Sequence, residues 1–467
     1  MTAPESTPEA TGAAPDPRAV LRTPAYLRLL LLAAVIGAPI AALAYGFLWV
    51  VDELQEWLFT DLPDDLGFDG APAWWPVPLL VLAGLLVAAT IRFLPGTGGE
   101  SPADGFSPGR GAPAPIELPG IALAALSGLA LGVVIGPEAP LIALGGGLGV
   151  FAVHLAARDT PAETAAVVAA AGSFAAISTL LGSPVLAAFL LMEASGLAGA
   201  TMAVVLVPGL VAAGVGSLIF VGLDSWTGLG TFSLVVPDLP AAGTPTVAEF
   251  GWAIGIGLAA ALVGAGVRRL ALAIRPLVEP RLLLLTPVVG LAIAGLAIAF
   301  AESTDEASSL VLFSGQSALG PVLAGAAGYS VGTLLLLIAC KGLAYALALS
   351  SFRGGPIFPA MFIGAVGGIA LSHLPGLGLI AGAAMGIGAM TAAMLRLPMT
   401  SVLLATLLLL SSGLETVPLV IIAVAVAYVA AERISPSPPE AAAAPGASAP
   451  TAGRTSAPAP DRGPGPG

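Results

Sequence analysis

The chain has 467 residues, of which 57% are hydrophobic and only 9% charged, and its mean hydropathy is +0.98. A soluble domain carries roughly 25% charged residues, so the composition excludes a soluble globular domain and a basic nucleic-acid surface and points to a polytopic helical membrane protein. The net charge of −12 falls mostly in loops and tails, and the single cysteine, Cys340, excludes an intrachain disulfide.

In chain order, Met1–Pro17 is rich in Ala, Pro and Thr and lacks the basic start of a secretory signal, so residues 1–24 read as a disordered cytoplasmic tail. Tyr26–Val51 is long enough to span a bilayer. Arg18, Arg22 and Arg28 precede or open it, and Asp52, Glu53, Glu56, Asp61, Asp64, Asp65 and Asp69 follow with no basic residue before Arg92. Basic flanks favour the cytoplasmic side, so the N-terminus is placed inside and the acidic stretch outside as a loop. Trp74 and Trp75 suit the outer interface, Val77–Ile91 returns, and Arg92 and Arg110 mark the inner side. Further apolar segments are Ile116–Val134, Leu141–Ala157, Ala165–Leu181, Val185–Met192 and Thr201–Val221. After an external linker at 223–246 come Phe250–Leu272, Leu282–Phe300, Ala324–Leu349, Ala360–Leu371, Leu377–Leu395, Met399–Leu410 and Val417–Ala431. Arg268, Arg269, Arg275 and Arg281 place their loop inside; the loops around Asp224–Asp238 and Glu302–Glu306 lack basic residues and face out. Val185–Met192 and Met399–Leu410 are too short to cross alone, as half-helices of transporters are. Residues 435–467 are mostly Pro, Ala, Gly and Ser, a composition that builds no core, and read as a disordered C-terminal tail.

One stretch organises the chain. Gly136-Pro137-Glu138-Ala139-Pro140 puts a carboxylate and helix-breaking residues inside an apolar tract. Burying that charge at membrane depth costs upwards of about 2.5 kcal/mol, so it predicts a functional site. Gly355-Pro356-Ile357-Phe358-Pro359 repeats the pattern 219 positions later, and both continue as GPxxPxxxxGxxxG. A second pair, Gly172–Leu191 with Gly388–Leu408, aligns Pro184 with Pro398. Two matches in the same order predict two structural repeats, 25–222 and 247–434. Leu141–Val153 and Ala360–Leu371 are predicted to begin just after Pro140 and Pro359. Two helix N-termini would then face one site near the midplane, an arrangement that favours a small anion.

These motifs resemble the CLC family of chloride channels and proton-coupled chloride antiporters. Gly136–Pro140 is similar to the family's GxEGP motif with Ala139 for glycine, Gly354–Pro359 to GGxFxP with Ile357 for phenylalanine, and Gly96–Pro102 lies where GSGIP falls. Arg396–Thr400 matches a further stretch, and the resemblance runs over about residues 25–434. It implies an all-α fold of two inverted-topology repeats with broken, tilted helices. It also implies conduction of chloride, with fluoride or nitrate as alternatives, by a homodimer with one pore per subunit. The setting would be a lipid bilayer, in bacteria the plasma membrane, with both termini cytoplasmic. No cofactor, metal or enzyme activity is implied. Glu138 would be the gate, and Thr97, Ser101, Gly136, Glu138, Ile357 and Phe358 the anion-binding set.

Beyond these two substitutions, the sequence departs from the family at three further places. Pro356 has no N–H to offer an anion. Ser435–Pro439 holds no tyrosine where the family places its inner gate, and the antiporters' internal proton-relay glutamate aligns with Ala194. The neighbouring Glu193 is a candidate proton-pathway residue, weighed evenly against a helix-end carboxylate at the cytoplasmic interface. The departures favour weakly coupled or uncoupled conduction over proton-coupled antiport. Lys341, the only lysine, is expected to pair with a carboxylate or snorkel, and Arg353 to anchor at the interface rather than supply field at the pore. His154 and His373 read as structural, and the GxxxG runs as helix-packing faces. A protease built on Ser127 with His154 or His373 lacks both GxSG and HExxH contexts. A permease for a small carboxylate is the other alternative.

Overall fold

The computed structural model describes residues 17–106, 111–156, 160–196, 199–227, 235–237 and 239–435. Expectations for most of the N-terminal tail, for Arg110, for much of the 223–246 linker and for Pro436 onward lie outside these residues.

Helix α1, Pro24–Glu56, starts where Thr23 accepts the Tyr26 N–H at 3.2 Å and Pro24 takes the first helical position, where its missing N–H costs nothing. No glycine or proline stands between Gly46 and Pro63, so the helix runs on through a π-turn, Trp57–Asp61, and one more turn, Leu62–Asp65. The acidic stretch expected as a loop is therefore mostly helical. The Trp75 indole ties its end down, donating to the Leu58 carbonyl at 2.8 Å. Helix α2, Pro76–Phe93, returns across the membrane.

The first half continues with α3 (Leu118–Ala130), α4 (Glu138–Ala156), α5 (Ala162–Leu181), α6 (Pro184–Ser195) and α7 (Gly199–Thr227). The second comprises α8 (Val247–Val278), α9 (Leu282–Thr304), α10 (Gln316–Ala324), α11 (Val331–Ser351), α12 (Ile357–Ser372), α13 (Leu379–Leu395), α14 (Pro398–Leu408) and α15 (Val417–Ile434). Eight helical spans among the described residues are long and apolar enough to cross a membrane. The segment expected over Ala324–Leu349 is divided: α10 stops at Gly325, and α11 restarts after Ser330, whose hydroxyl accepts the Thr333 N–H at 3.0 Å.

Packing follows the repeat. Helix α4 lies on α5 as α12 lies on α13; α5 lies on α7 as α13 lies on α15; α1 meets α7 as α8 meets α15. The GxxxG runs are the crossing points. A Cβ at Gly145 would strike the Gly172 carbonyl, and one at Gly364 would strike that of Gly386, so glycine is what lets each backbone pair approach.

Candidate functional site

The two proline-containing motifs meet. Gly136 N–H donates to the Gly355 carbonyl at 2.8 Å and Gly355 N–H donates back to Gly136 at 2.6 Å, an antiparallel bridge between repeat-equivalent residues. A Cβ at either glycine would collide with the Glu138 side chain, so only glycine leaves the carboxylate in this position. The Gly136 amide, a member of the expected anion-binding set, is committed to the Gly355 carbonyl in this arrangement.

Both helices also begin earlier than predicted, at Glu138 and Ile357 rather than after Pro140 and Pro359. Each proline falls in the first turn, where no intrahelical partner awaits its N–H, so it does not break the helix. Glu138 thereby becomes the first residue of α4 and Ile357 the first of α12. Glu138 is fully buried. One carboxylate oxygen accepts the Ile357 N–H, and the other has no hydrogen-bond partner among the described residues. The preceding carbonyl, of Pro356, accepts the Tyr345 hydroxyl at 2.8 Å. Sequence reasoning missed Tyr345. It stands in an apolar tract of α11 and resembles any core aromatic.

Glu138 is flanked by two cavities. One, of about 780 Å³, is lined by Thr97, Ser101, Ala139, Arg353 and Pro356, on the side to which the arginine-bearing end of α2 leads. The other, of about 470 Å³, is lined by Asp52, Gln55, Pro137, Ser314 and Phe358. The chain neighbours of Glu138 thus border different cavities. Of the six expected anion-site residues, Thr97 and Ser101 line the first cavity and Phe358 the second, while Gly136, Glu138 and Ile357 line neither. The Ser101 hydroxyl is buried without a partner among the described residues. Thr97 has φ of 49°, in a left-handed run with Gly96 and Gly98, and its carbonyl accepts Arg353 Nε at 3.2 Å. Arg353, expected as an interfacial anchor, instead lines the cavity and staples that turn.

The sequence profile of the voltage-gated chloride channel family matches residues 108–432. The chain belongs to the voltage-gated chloride channel family. A curated relative, YfeO of Salmonella schwarzengrund, which carries a provisional ion-transport designation, is 32% identical over 358 residues, covering 75% of this chain and 82% of that protein. YfeO of Salmonella newport is 33% identical over 362 residues, with the same coverage of 75% and 82%. The fold is that of solved CLC structures. A slow cyanobacterial Cl⁻/H⁺ antiporter superposes with a TM-score of 0.71 at 19% identity, over 88% of this chain and 96% of that one. A CLC-type fluoride/proton antiporter gives 0.62 at 21% identity, over 88% and 97%.

Two charged residues of this family member occupy positions that the sequence did not suggest. Glu193, near the end of α6, caps the start of α14. Its carboxylate accepts Met399 N–H at 2.8 Å, Thr400 N–H at 2.7 Å and the Thr400 hydroxyl at 2.6 Å. A carboxylate on unpaired amides at a helix N-terminus is stabilised by both hydrogen bonds and the helix dipole. Lys341 neither pairs with a carboxylate nor snorkels. It is fully buried in α11, and its ammonium donates to the carbonyls of Leu310, Val311, Leu312 and Phe313 at 2.8–3.3 Å, with the Phe362 ring centroid 4.6 Å away.

Proposed function

We propose that this family member conducts a small anion, chloride by default, across the bilayer between the two cavities, with Glu138 as the gate and with weak or no proton coupling. The observation that carries the reading is the seat of the Glu138 carboxylate on the Ile357 amide between them. An ionised carboxylate is a tethered anion, so it occupies the donor that a passing anion would use. Protonation removes its charge and weakens that bond, since hydrogen bonds to charged groups are roughly twice as strong as neutral ones. An anion then takes the Ile357 N–H in its place, aided by the positive ends of α4 and α12. The Ser101 hydroxyl, without a partner among the described residues, and the Arg353 guanidinium offer donors on the approach.

Weak coupling is supported by Glu193, whose two carboxylate oxygens are both engaged in capping α14. The alternative is proton-coupled antiport of chloride, fluoride or nitrate, the activity named for two solved proteins of this fold. We further propose a homodimer in a bacterial plasma membrane with both termini cytoplasmic.

Reconstitution in liposomes under a chloride gradient, recording anion efflux and proton movement together, tests the reading. The expected result is chloride efflux that rises as pH falls, with little proton counterflow, and a Glu138→Gln variant that conducts without pH dependence. No anion flux at any pH would sink it, and stoichiometric proton movement would replace it with antiport.

A further inference from the structure

We propose that Tyr345 is a positioning residue for the gate, acting through the Pro356–Ile357 peptide group; this rests on the assignment of Glu138 as gate. The Tyr345 hydroxyl donates to the Pro356 carbonyl at 2.8 Å, and the N–H of Ile357 donates to Glu138. Carbonyl and N–H are the two ends of one peptide unit. That unit is planar and stiff, so fixing its oxygen fixes the direction of its N–H. A hydrogen bond received at the carbonyl also polarises the amide, and the N–H becomes a stronger donor. The phenol, the peptide and the carboxylate form one chain of hydrogen bonds.

Three observations make this chain matter. The Gly355 N–H is committed to Gly136 and Pro356 has no N–H, so Ile357 is the first residue of its motif with an amide to offer Glu138. The second oxygen of Glu138 has no partner among the described residues, so the Ile357 amide is the one donor that reaches the carboxylate from the other repeat. Tyr345 is fully buried, and its ring alone could be supplied by phenylalanine; what the hydroxyl adds is the grip on Pro356. The support behind Tyr345 is firm as well. Lys341 lies one helical turn earlier on the same face of α11, held by the carbonyls of residues 310–313. One helix face therefore braces both the loop beside the 470 Å³ cavity and the peptide that holds the gate.

Removing the hydroxyl weakens the seat of ionised Glu138 more than that of the neutral acid, so the gate releases at higher pH. The ionisable groups facing this region are Lys341 and Tyr345 of α11, Arg353 ahead of α12, Asp52 in one cavity, and Glu100 and Glu117 in the other. None but Tyr345 is altered in the test.

Chloride flux against pH is measured in proteoliposomes for the wild-type chain, Tyr345→Phe, Glu138→Gln and the double variant. Tyr345→Phe is expected to move the midpoint to higher pH and raise flux near neutrality roughly threefold, in keeping with the loss of one ordinary hydrogen bond. On the Glu138→Gln background it is expected to move no midpoint, because no proton remains to titrate. Site-specific 3-fluorotyrosine at 345 has the same shape and a stronger donor, and it is expected to shift the midpoint to lower pH. This second arm reads the same contact even if Tyr345→Phe fails to fold. Flux from the wild-type chain with unmoved midpoints in the Tyr345 proteins overturns the inference alone, as does an equal shift on both Glu138 backgrounds. Absence of flux from the wild-type chain overturns the transport reading and, with it, this inference.

Discussion

Glu138 and Ile357 stand 219 positions apart, at equivalent places in the two repeats, and are joined by a hydrogen bond from the amide of one to the carboxylate of the other. Two equivalent helix starts meet, but only one carries a side chain that reaches across. The symmetric frame thus holds an asymmetric contact, and the chemistry proposed here depends on that asymmetry. Backbone amides alone would bind an anion; the carboxylate makes the binding conditional.

The bridge beneath this contact leaves no room for a methyl group. A Cβ at Gly355 would overlap the carboxyl end of Glu138. The colliding atoms belong to a side-chain tip rather than to backbone, so the carboxylate gives way before the fold does. Gly355→Ala is expected to fold and to show pH-insensitive chloride flux like Glu138→Gln, with no further change when the two are combined. Retention of the wild-type pH profile in Gly355→Ala would show that the seat is elsewhere.

Pro356 suggests the opposite manipulation. Its φ of −93° and ψ of −5° are open to alanine without strain. Pro356→Ala keeps the carbonyl that Tyr345 grips and adds an N–H at a residue lining the 780 Å³ cavity. A hydrogen bond to a charged group contributes about 1.5–3 kcal/mol, so chloride affinity by isothermal titration is expected to rise roughly tenfold, since about 1.4 kcal/mol corresponds to that factor. Unchanged affinity would mean that the new amide does not face the anion.

Glu193 gives a prediction that separates structure from proton transfer. It satisfies two amides at the start of α14, the service a helix cap performs. Glu193→Ala is expected to destabilise the protein by about 1 kcal/mol, the usual cost of a lost cap. A thermal melt in detergent would register this, while the ratio of proton to chloride movement stays the same. A changed ratio with an unchanged melting temperature would make Glu193 part of a proton path instead.

The repeat and its meeting point were legible because they rest on local signals: glycine and proline at fixed spacing, and an isolated carboxylate in an apolar tract. The helix starts were misplaced by three residues because proline in a first turn and proline before a helix look alike in sequence. The commitment of the Gly136 amide was not legible, because an amide's availability depends on a partner more than two hundred residues away. Tyr345 and Lys341 were opaque for a related reason. Their partners are backbone carbonyls, which every residue carries, so nothing in the sequence marks the site they grip.

Lys341 shows how much such a hidden contact can hold. Its ammonium has three protons shared among four carbonyls, and Val311 and Leu312 are fully buried. Replacement by methionine relieves the cost of burying the charge, which for some buried ionic groups is the larger effect. Here the carbonyls left behind have no apolar substitute, and each unsatisfied buried group costs about 1–3 kcal/mol. The loss outweighs the relief, and it falls on residues 310–313. Lys341→Met is expected to lower thermal stability and to speed amide hydrogen exchange in 308–316 by tenfold or more (roughly 1.4 kcal/mol of local opening). Exchange at the start of α4 is expected to change less, because the Gly136–Gly355 bridge remains. Unaltered exchange over 308–316 in a folded Lys341→Met protein would refute the role of Lys341 as the brace of that loop.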